Sequence, residues 1–245
     1  MEKLVKKVVL ESRNGWSTIP PLNKSLSAYK GQLLSFQSYN PEINLSKDLI
    51  EHQMMDNEQL HNQMCLIPYR DHKYLTFKDK YYLLFQTNNA MNSFLRSVPI
   101  ENGIIMTNNN IRLKLTPCHK QGPVLKYYTQ LYNTLLNYNS SNDPKVISLK
   151  DIMEPSKLIS LHNNSLQHIM DKSLLLWNYQ ISNDIDLKDL FWYYDITNCI
   201  PLFNDPNGPT TLHYLSFKST NERNKFKSNI HGSLLNNNKL LIEPL

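Results

Sequence analysis

The sequence predicts an α+β fold made of two βαββαβ modules joined by a helical connector, and three observations lead there. The first is the stretch 210–245. Thr210-Thr-Leu-His-Tyr-Leu-Ser-Phe217 alternates large with small or polar side chains, as a strand with one buried face does. Ser219-Thr-Asn-Glu222 is a capping box that starts a helix, with Phe226 and Ile230 on one face and Arg223, Lys225 and Lys227 elsewhere. His231-Gly232 stops it, because glycine takes the left-handed conformation without steric cost. Asn236 to Asn238 then turns the chain into a last strand, Lys239 to Glu243. The second observation is a repeat of this plan: Tyr82-Leu-Leu-Phe85 parallels Tyr214-Leu-Ser-Phe217, and in each copy the next Phe (Phe94, Phe226) lies nine positions on. The third is an Asn triplet in both copies, Asn108 to Asn110 and Asn236 to Asn238, each followed by a strand.

Taken in order, segment 1–30 opens with Lys3, Lys6, Lys7 and Arg13 around Leu4, Val5, Val8, Val9 and Leu10. That pattern fits a basic, amphipathic mitochondrial import signal or, given the acidic Glu2 and Glu11, a frayed polar terminus; the import reading is the one expected. The first module is assigned to 31–118. Gln32 to Tyr39 reads as its first strand, and Ser46 caps a helix from Lys47 towards Leu60. Met64 to Tyr69 is a second strand, with a charged turn at Arg70-Asp71-His72-Lys73. Tyr81 to Phe85 is a third strand, Asn89 to Val98 a second helix and Ile111 to Leu115 a fourth strand. A connector is assigned to 119–171: Pro123 opens a helix with Val124, Tyr128, Leu131, Tyr132 and Leu135 at helical spacing. Asn139 to Pro144 is the best linker, and 149–170 is helical in pieces broken at Pro155.

The second module is assigned to 172–245. Leu174 to Tyr179 is its first strand, and Asp186 to Tyr194 its first helix, burying Leu187, Leu190, Phe191 and Tyr194. This turns Trp192 and Tyr193 outward, and an exposed aromatic pair of this kind is a candidate partner-binding site. Asn198 to Phe203 is the second strand, and Asp205-Pro-Asn-Gly208-Pro209 turns the chain into the central one.

The order βαββαβ is that of the ferredoxin-like and RNA-recognition-motif (RRM) folds. In an RRM the helices cover one sheet face, and single-stranded RNA stacks its bases on aromatic side chains of the other. Tyr214 keeps one aromatic of the central-strand signature, while Leu212 stands at the other outward position. On the neighbouring strand Leu175 replaces an aromatic, with Trp177 two residues on and on the same face. In the first module Tyr82 holds the matching place, with Lys80 before it. Ile111 to Thr116 alternates strictly, turning Arg112 and Lys114 to one face. With Lys239 at the start of the last strand, the candidate RNA contacts are Lys80, Tyr82, Arg112, Lys114, Trp177, Tyr214 and Lys239, on sheet faces expected to be open. The platform is incomplete, with one or two stacked bases per module, each contributing roughly 1–3 kcal/mol.

The chain has 245 residues, 40% hydrophobic and 19% charged, which excludes a disordered polymer. A net charge of +5 is mildly basic and suits an RNA or an anionic membrane surface. Cys65, Cys118 and Cys199 are far apart and form no CxxC, so neither zinc nor a disulfide framework is expected. No apolar run approaches the ~20 residues of a membrane span, so membrane association is expected to be peripheral.

The sequence also resembles the yeast family of mitochondrial translational activators for cytochrome c oxidase subunit three. The likeness rests on Ser38-Tyr-Asn-Pro41, Arg70-Asp71, Lys73-Tyr74, Phe77-Lys-Asp79 and Tyr81-Tyr-Leu83. It continues through Ser173, Trp177-Asn178, Phe191-Trp-Tyr-Tyr-Asp-Ile196, Phe226-Lys227, Asn229, His231-Gly232 and Lys239 to Glu243. It runs from Ser38 to the C-terminus and is weak before that and across 139–170. The resemblance implies a peripheral protein on the matrix side of the inner membrane, binding the 5′ leader of the subunit-three messenger and group I intron RNA. It also implies companion translational activators as partners, with the mitochondrial ribosome as a further candidate, and no cofactor.

Three classes of function follow. The first is an RNA-binding adaptor, which needs positioning and no chemistry. The second is a pseudo-RRM scaffold that binds proteins through Trp192 and Tyr193, its sheet faces occluded. The third, an enzyme, has only His52, His61, His72, Asp71 and Asp79 to offer, without HExxH, nucleophile-elbow or P-loop spacing, and is not expected.

Overall fold

The computed structural model describes residues 26, 30–43, 62–97, 100–101, 103–106, 112–139, 154–180, 187–206, 208 and 210–245. The import-like stretch, the helix expected over 47–60, the first Asn triplet, His52, His61 and most of the Asn139 to Pro144 linker lie outside them.

The first module contributes β1 (Leu33–Gln37), β2 (Met64–Arg70), β3 (Phe77–Phe85), α1 (Asn88–Ser97), β4 (Ile100–Glu101), β5 (Ile104–Met106), β6 (Arg112–Lys114) and β7 (Thr116–Pro117). The connector holds α2 (Gln121–Asn139), α3 (Pro155–Leu161), a π-helical turn (His162–Leu166) and α4 (Gln167–Asp171). The second module contributes β8 (Ser173–Trp177), α5 (Leu187–Leu190), β9 (Ile196–Asn204), β10 (Thr211–Phe217), α6 (Thr220–Ile230), β11 (Leu234–Leu235), β12 (Asn238–Lys239) and β13 (Leu241–Pro244).

Two four-stranded antiparallel sheets have the orders β2-β3-β1-β7 and β13-β8-β10-β9. With the strands of each sheet renumbered along the chain, both orders become four-one-three-two. That is the α+β, RRM-like arrangement, present twice.

Local chemistry explains the boundaries. The Ser219 side chain caps α6 by accepting from the Glu222 N–H at 3.2 Å, as the capping box predicts. Thr87 does the same for α1, accepting from the Ala90 N–H at 3.1 Å. Gly232 leaves α6 at φ +82°, and Asn236 and Asn237, at φ +51° and +65°, make the two-residue turn between β11 and β12.

Several details differ from the sequence expectation, among them the helix expected over Asp186 to Tyr194, which covers only Leu187–Leu190 and leaves Leu190 half-buried. The fourth strand of the first sheet is Thr116–Pro117, pairing with β1, whereas Arg112–Lys114 belongs to a small sheet ordered β4-β5-β6. The alternation gives the right parity, since Leu113 and Leu115 are buried and Arg112 and Lys114 exposed, but it does not specify which partner a strand finds. Pro155 begins α3, with its missing N–H at a position that needs none. Lys239 belongs to the β11–β12 hairpin, and the last sheet strand starts at Leu241.

Three layers of apolar side chains hold the chain together. Leu34, Phe36, Leu83 and Phe85 of the first sheet pack with Met91 and Phe94 of α1. Leu174, Leu176, Leu215 and Phe217 of the second pack with Phe226 of α6. Between the sheets lies the third core. Leu33, Ile67, Tyr82 and Leu84 from one sheet and Leu175, Leu212 and Tyr214 from the other share it with Tyr128, Leu131, Leu135, Leu158 and Met170 of the connector. The connector helices thus fill the space between the two helix-free sheet faces.

Candidate nucleic-acid interface

Register divides the helix-free face of the first sheet into three rows. Cys65, Leu84 and Leu33 pair side by side, then Ile67, Tyr82 and Ser35, then Tyr69, Lys80 and Gln37. The first row is closed by the connector and the second nearly so, Tyr82 being 8% exposed. The third is open: Tyr69 is 36% exposed, Lys80 half-buried and Gln37 exposed.

On the second sheet the corresponding rows are Glu243, Leu175, Tyr214 and Ile200, followed by Leu241, Trp177, Leu212 and Phe203. Connector residues cover the first of these. The turn between β2 and β3 reaches the second, where the rings of Tyr74 and Phe203 meet at 5.8 Å.

The expectation of open aromatic platforms is therefore corrected at Tyr82 and Tyr214. Tyr214 is 0% exposed, its ring lies 5.2 Å from that of Tyr138, and its hydroxyl accepts from Asn139 Nδ2 at 2.6 Å and shares a hydrogen bond with Ser173 Oγ at 2.7 Å. Burial pushes this phenol up to about 12. It is a core residue with a satisfied polar tip, and no base can stack on it. Tyr82 has the Lys80 ammonium 4.9 Å above its ring, and burial raises its phenol as well. Trp177 is half-buried against the central core. The physical reason is common to all three: an outward aromatic on a sheet serves an apolar helix as well as it serves a nucleobase.

Arg112 and Lys114 are exposed, but on the small sheet rather than beside the aromatic rows. Lys239 is exposed on the β11–β12 hairpin rather than in the sheet, its carbonyl accepting from Asn178 Nδ2 at 3.0 Å just beyond the end of β8. Trp192 and Tyr193 point into solvent at 77% and 55% exposure, their rings 5.7 Å apart and nearly perpendicular. Of the histidine and carboxylate group considered for catalysis, Asp71 caps its own turn, accepting from the N–H groups of Lys73 and Tyr74 at 2.9 Å each.

Sequence reasoning missed the seam between the modules. Arg70 is buried and donates from Nη1 to Glu243 Oε1 and the Leu75 carbonyl, both at 2.9 Å, and from Nη2 to the Pro244 carbonyl at 2.6 Å. Glu243 also accepts from the Phe77 N–H at 2.7 Å, so one carboxylate oxygen ties two strands of the other module. The Tyr127 hydroxyl accepts from the Arg70 N–H at 2.7 Å and donates to the Pro68 carbonyl at 2.9 Å. On another side Glu42 pairs with Arg223 at 3.1 Å and with Lys227. Arg70 was legible only as part of a charged turn. The register slips between Tyr69 and Arg70, so strand alternation could not have placed the Arg70 side chain.

Residues 30–122 match the family model described as the Protein PET54 N-terminal domain. The chain is 27% identical over 238 residues to Protein PET54 of Saccharomyces bayanus, spanning 91% of this chain and 77% of that one. Against Protein PET54 of Saccharomyces cerevisiae it is 27% identical over 224 residues, 86% and 74% of the two chains. Among solved structures it aligns with RNA recognition domains 1 and 2 of Sex-lethal from Drosophila melanogaster. That alignment has 15% identity and a TM-score of 0.25, and it covers 88% of this chain and 100% of that one. The first two RRM domains of the yeast poly(U)-binding protein Pub1 align at 12% identity and a TM-score of 0.25, covering 86% and 98%. Scores this low carry no weight, and the fold assignment rests on strand order. In sequence the chain is PET54-like over most of its length, and in each sheet it has the strand order of an RRM.

Proposed function

We propose that this chain is a non-catalytic RNA-binding adaptor of mitochondria, which activates translation of the cytochrome c oxidase subunit-three messenger through its 5′ leader and assists group I intron splicing. The observation that carries the reading is a likeness to PET54 that runs through both modules of a chain with net charge +5. Two RRM-order sheets in one basic chain suit a single-stranded RNA ligand, which is recognised by stacking, phosphate contacts and base-edge hydrogen bonds. The resemblance adds a position on the matrix side of the inner membrane and companion activators as partners. Among the described residues no helix is long and apolar enough to cross a membrane.

A second reading, a protein-binding scaffold, is favoured by one specific pair of facts. Both helix-free faces are largely covered, and Trp192 and Tyr193 are the most exposed large aromatics of the second module. Crosslinking and sequencing of RNA bound to the tagged protein in isolated mitochondria separates the two. Enrichment of the subunit-three leader or of a group I intron is the expected result. Background RNA alone, with companion proteins still co-purifying, would overturn the adaptor in favour of the scaffold.

A further inference from the structure

The open third row of the first sheet combines three side chains of distinct chemistry. Gln37, Lys80 and Tyr69 are direct cross-strand partners on β1, β3 and β2, so all three project from one face within two strand spacings. Tyr69 is held in place by near-perpendicular contacts with Tyr127 at 4.9 Å and Tyr82 at 5.8 Å, so its ring is oriented before any ligand arrives. The Lys80 ammonium, over the Tyr82 ring, faces no carboxylate among the ion pairs of the described residues. Gln37 supplies an amide that both donates and accepts.

We infer that Gln37, Lys80 and Tyr69 form a binding site for one unpaired base of a single-stranded RNA and the nucleotide next to it. The base stacks on Tyr69, its phosphate meets Lys80, and the Gln37 amide, one strand further on, meets the next nucleotide. The site rests on the RNA-binding reading above and relocates the contact from the middle of the sheet to its rim. A planar aromatic, a cation and an amide in that order match a base face, the phosphate beside it and a polar group of the next nucleotide. A base pair in a duplex hides the face that Tyr69 would take, so the site selects single strands.

The test uses the full chain and a fluorescein-labelled, unstructured RNA of about ten nucleotides, the span of one small binding fold, with the corresponding duplex as competitor. Binding is followed by fluorescence anisotropy across a salt series. Tyr69→Ala is expected to weaken single-strand binding by roughly tenfold, the size of one lost stacking interaction, and Tyr69→Phe to restore it. Lys80→Gln, a change outside the core, is expected to lower the slope of log affinity against log salt by about one phosphate contact. Wild-type binding that Tyr69→Ala, Lys80→Gln and Gln37→Ala all leave unchanged would overturn the site while the adaptor reading stands. Failure of the wild type to bind would also overturn the site, with mitochondrial crosslinking deciding the broader reading independently.

Discussion

The two helix-free sheet faces descend from the same strand order, yet they end differently. On the second sheet the outward tyrosine of the central strand, Tyr214, is sealed under α2 with its hydroxyl satisfied by Asn139 and Ser173. On the first, the outward positions of β3 run from a buried Leu84 through Tyr82 to a half-buried Lys80 beside an open Tyr69. The difference lies in what covers each. The second face receives connector helices on one row and the β2–β3 turn of its neighbour on the next, whereas on the first the row of Tyr69, Lys80 and Gln37 stays open. A fold that presents aromatic rows can use them for ligands or for its own assembly, and this chain spends most of both rows on assembly.

The largest test of that contrast replaces the two tyrosines in parallel. Tyr214→Ala is expected to cost about 3–5 kcal/mol, the range for deleting a large buried ring, seen as a lower denaturant midpoint. Tyr69→Ala, at an open rim, is expected to cost about 1 kcal/mol or less. Equal costs would break the comparison. Alkali gives a second handle on the same residue. The Tyr214 phenol is raised from 10 to about 12 in the folded chain, so its contribution is complete below pH 10 and is lost as pH rises towards 12. Tyr214→Phe should flatten that part of the stability profile.

Next in size is the seam. Arg70→Met removes a buried cation and leaves Glu243 with the Phe77 N–H as its recorded partner there. Because Glu243 is partly exposed, the expected loss is about 2 kcal/mol, short of the 3–5 kcal/mol of a fully buried pair. Adding Glu243→Gln should recover part of it, and the coupling is read by a double-mutant cycle in chemical denaturation. Glu42→Gln, at a partly exposed carboxylate paired with the buried Arg223 and the half-buried Lys227, is expected to cost about 1 kcal/mol. Trp192→Ala should leave stability within about 0.5 kcal/mol, and on the scaffold reading it abolishes co-purification of partners from mitochondria.

Much of the fold was legible because period-two alternation and capping chemistry are local. Ser219 with Glu222, the Asn236–Asn237 turn and the strands around Tyr82 and Tyr214 all formed as their side chains dictate. Trp192 and Tyr193 do point outward, but from the turn that follows the short α5 (Leu187–Leu190) rather than from the longer helix whose spacing led to that expectation. What was not legible is what lies on an outward face. Leu175, Leu212 and Tyr214 read as an eroded RNA platform, when Leu131, Leu135 and Leu158 in the connector are the partners that explain their apolar character. Pairing across a long sequence separation left no local mark on Arg70 or Glu243, and the site row was overlooked because Tyr69 lies on an edge strand rather than a central one.

The smallest expected effect concerns the opposite faces of the same two strands. Tyr81 and His213 occupy matching positions, one residue before Tyr82 and Tyr214, and both point towards the helices. The Tyr81 hydroxyl donates to the Asn40 carbonyl at 2.8 Å and accepts from the Ile43 N–H at 3.3 Å, so its polar tip is satisfied. His213 is buried against Tyr179, their rings 5.5 Å apart, with no hydrogen-bond partner for Nδ1. Burial lowers its pKa from 6.5, because the charged imidazolium would lose its hydration without gaining an acceptor. A depressed pKa means that the unfolded chain takes up the proton first, so stability is complete above pH 6.5 and declines as pH falls through the folded value. Melting temperature measured from pH 7.5 down to pH 5 should therefore drop slightly more for the wild type than for His213→Gln, whereas Tyr81→Phe should leave the slope unchanged. A slope that His213→Gln does not alter would place the acid sensitivity elsewhere and remove this difference between the modules.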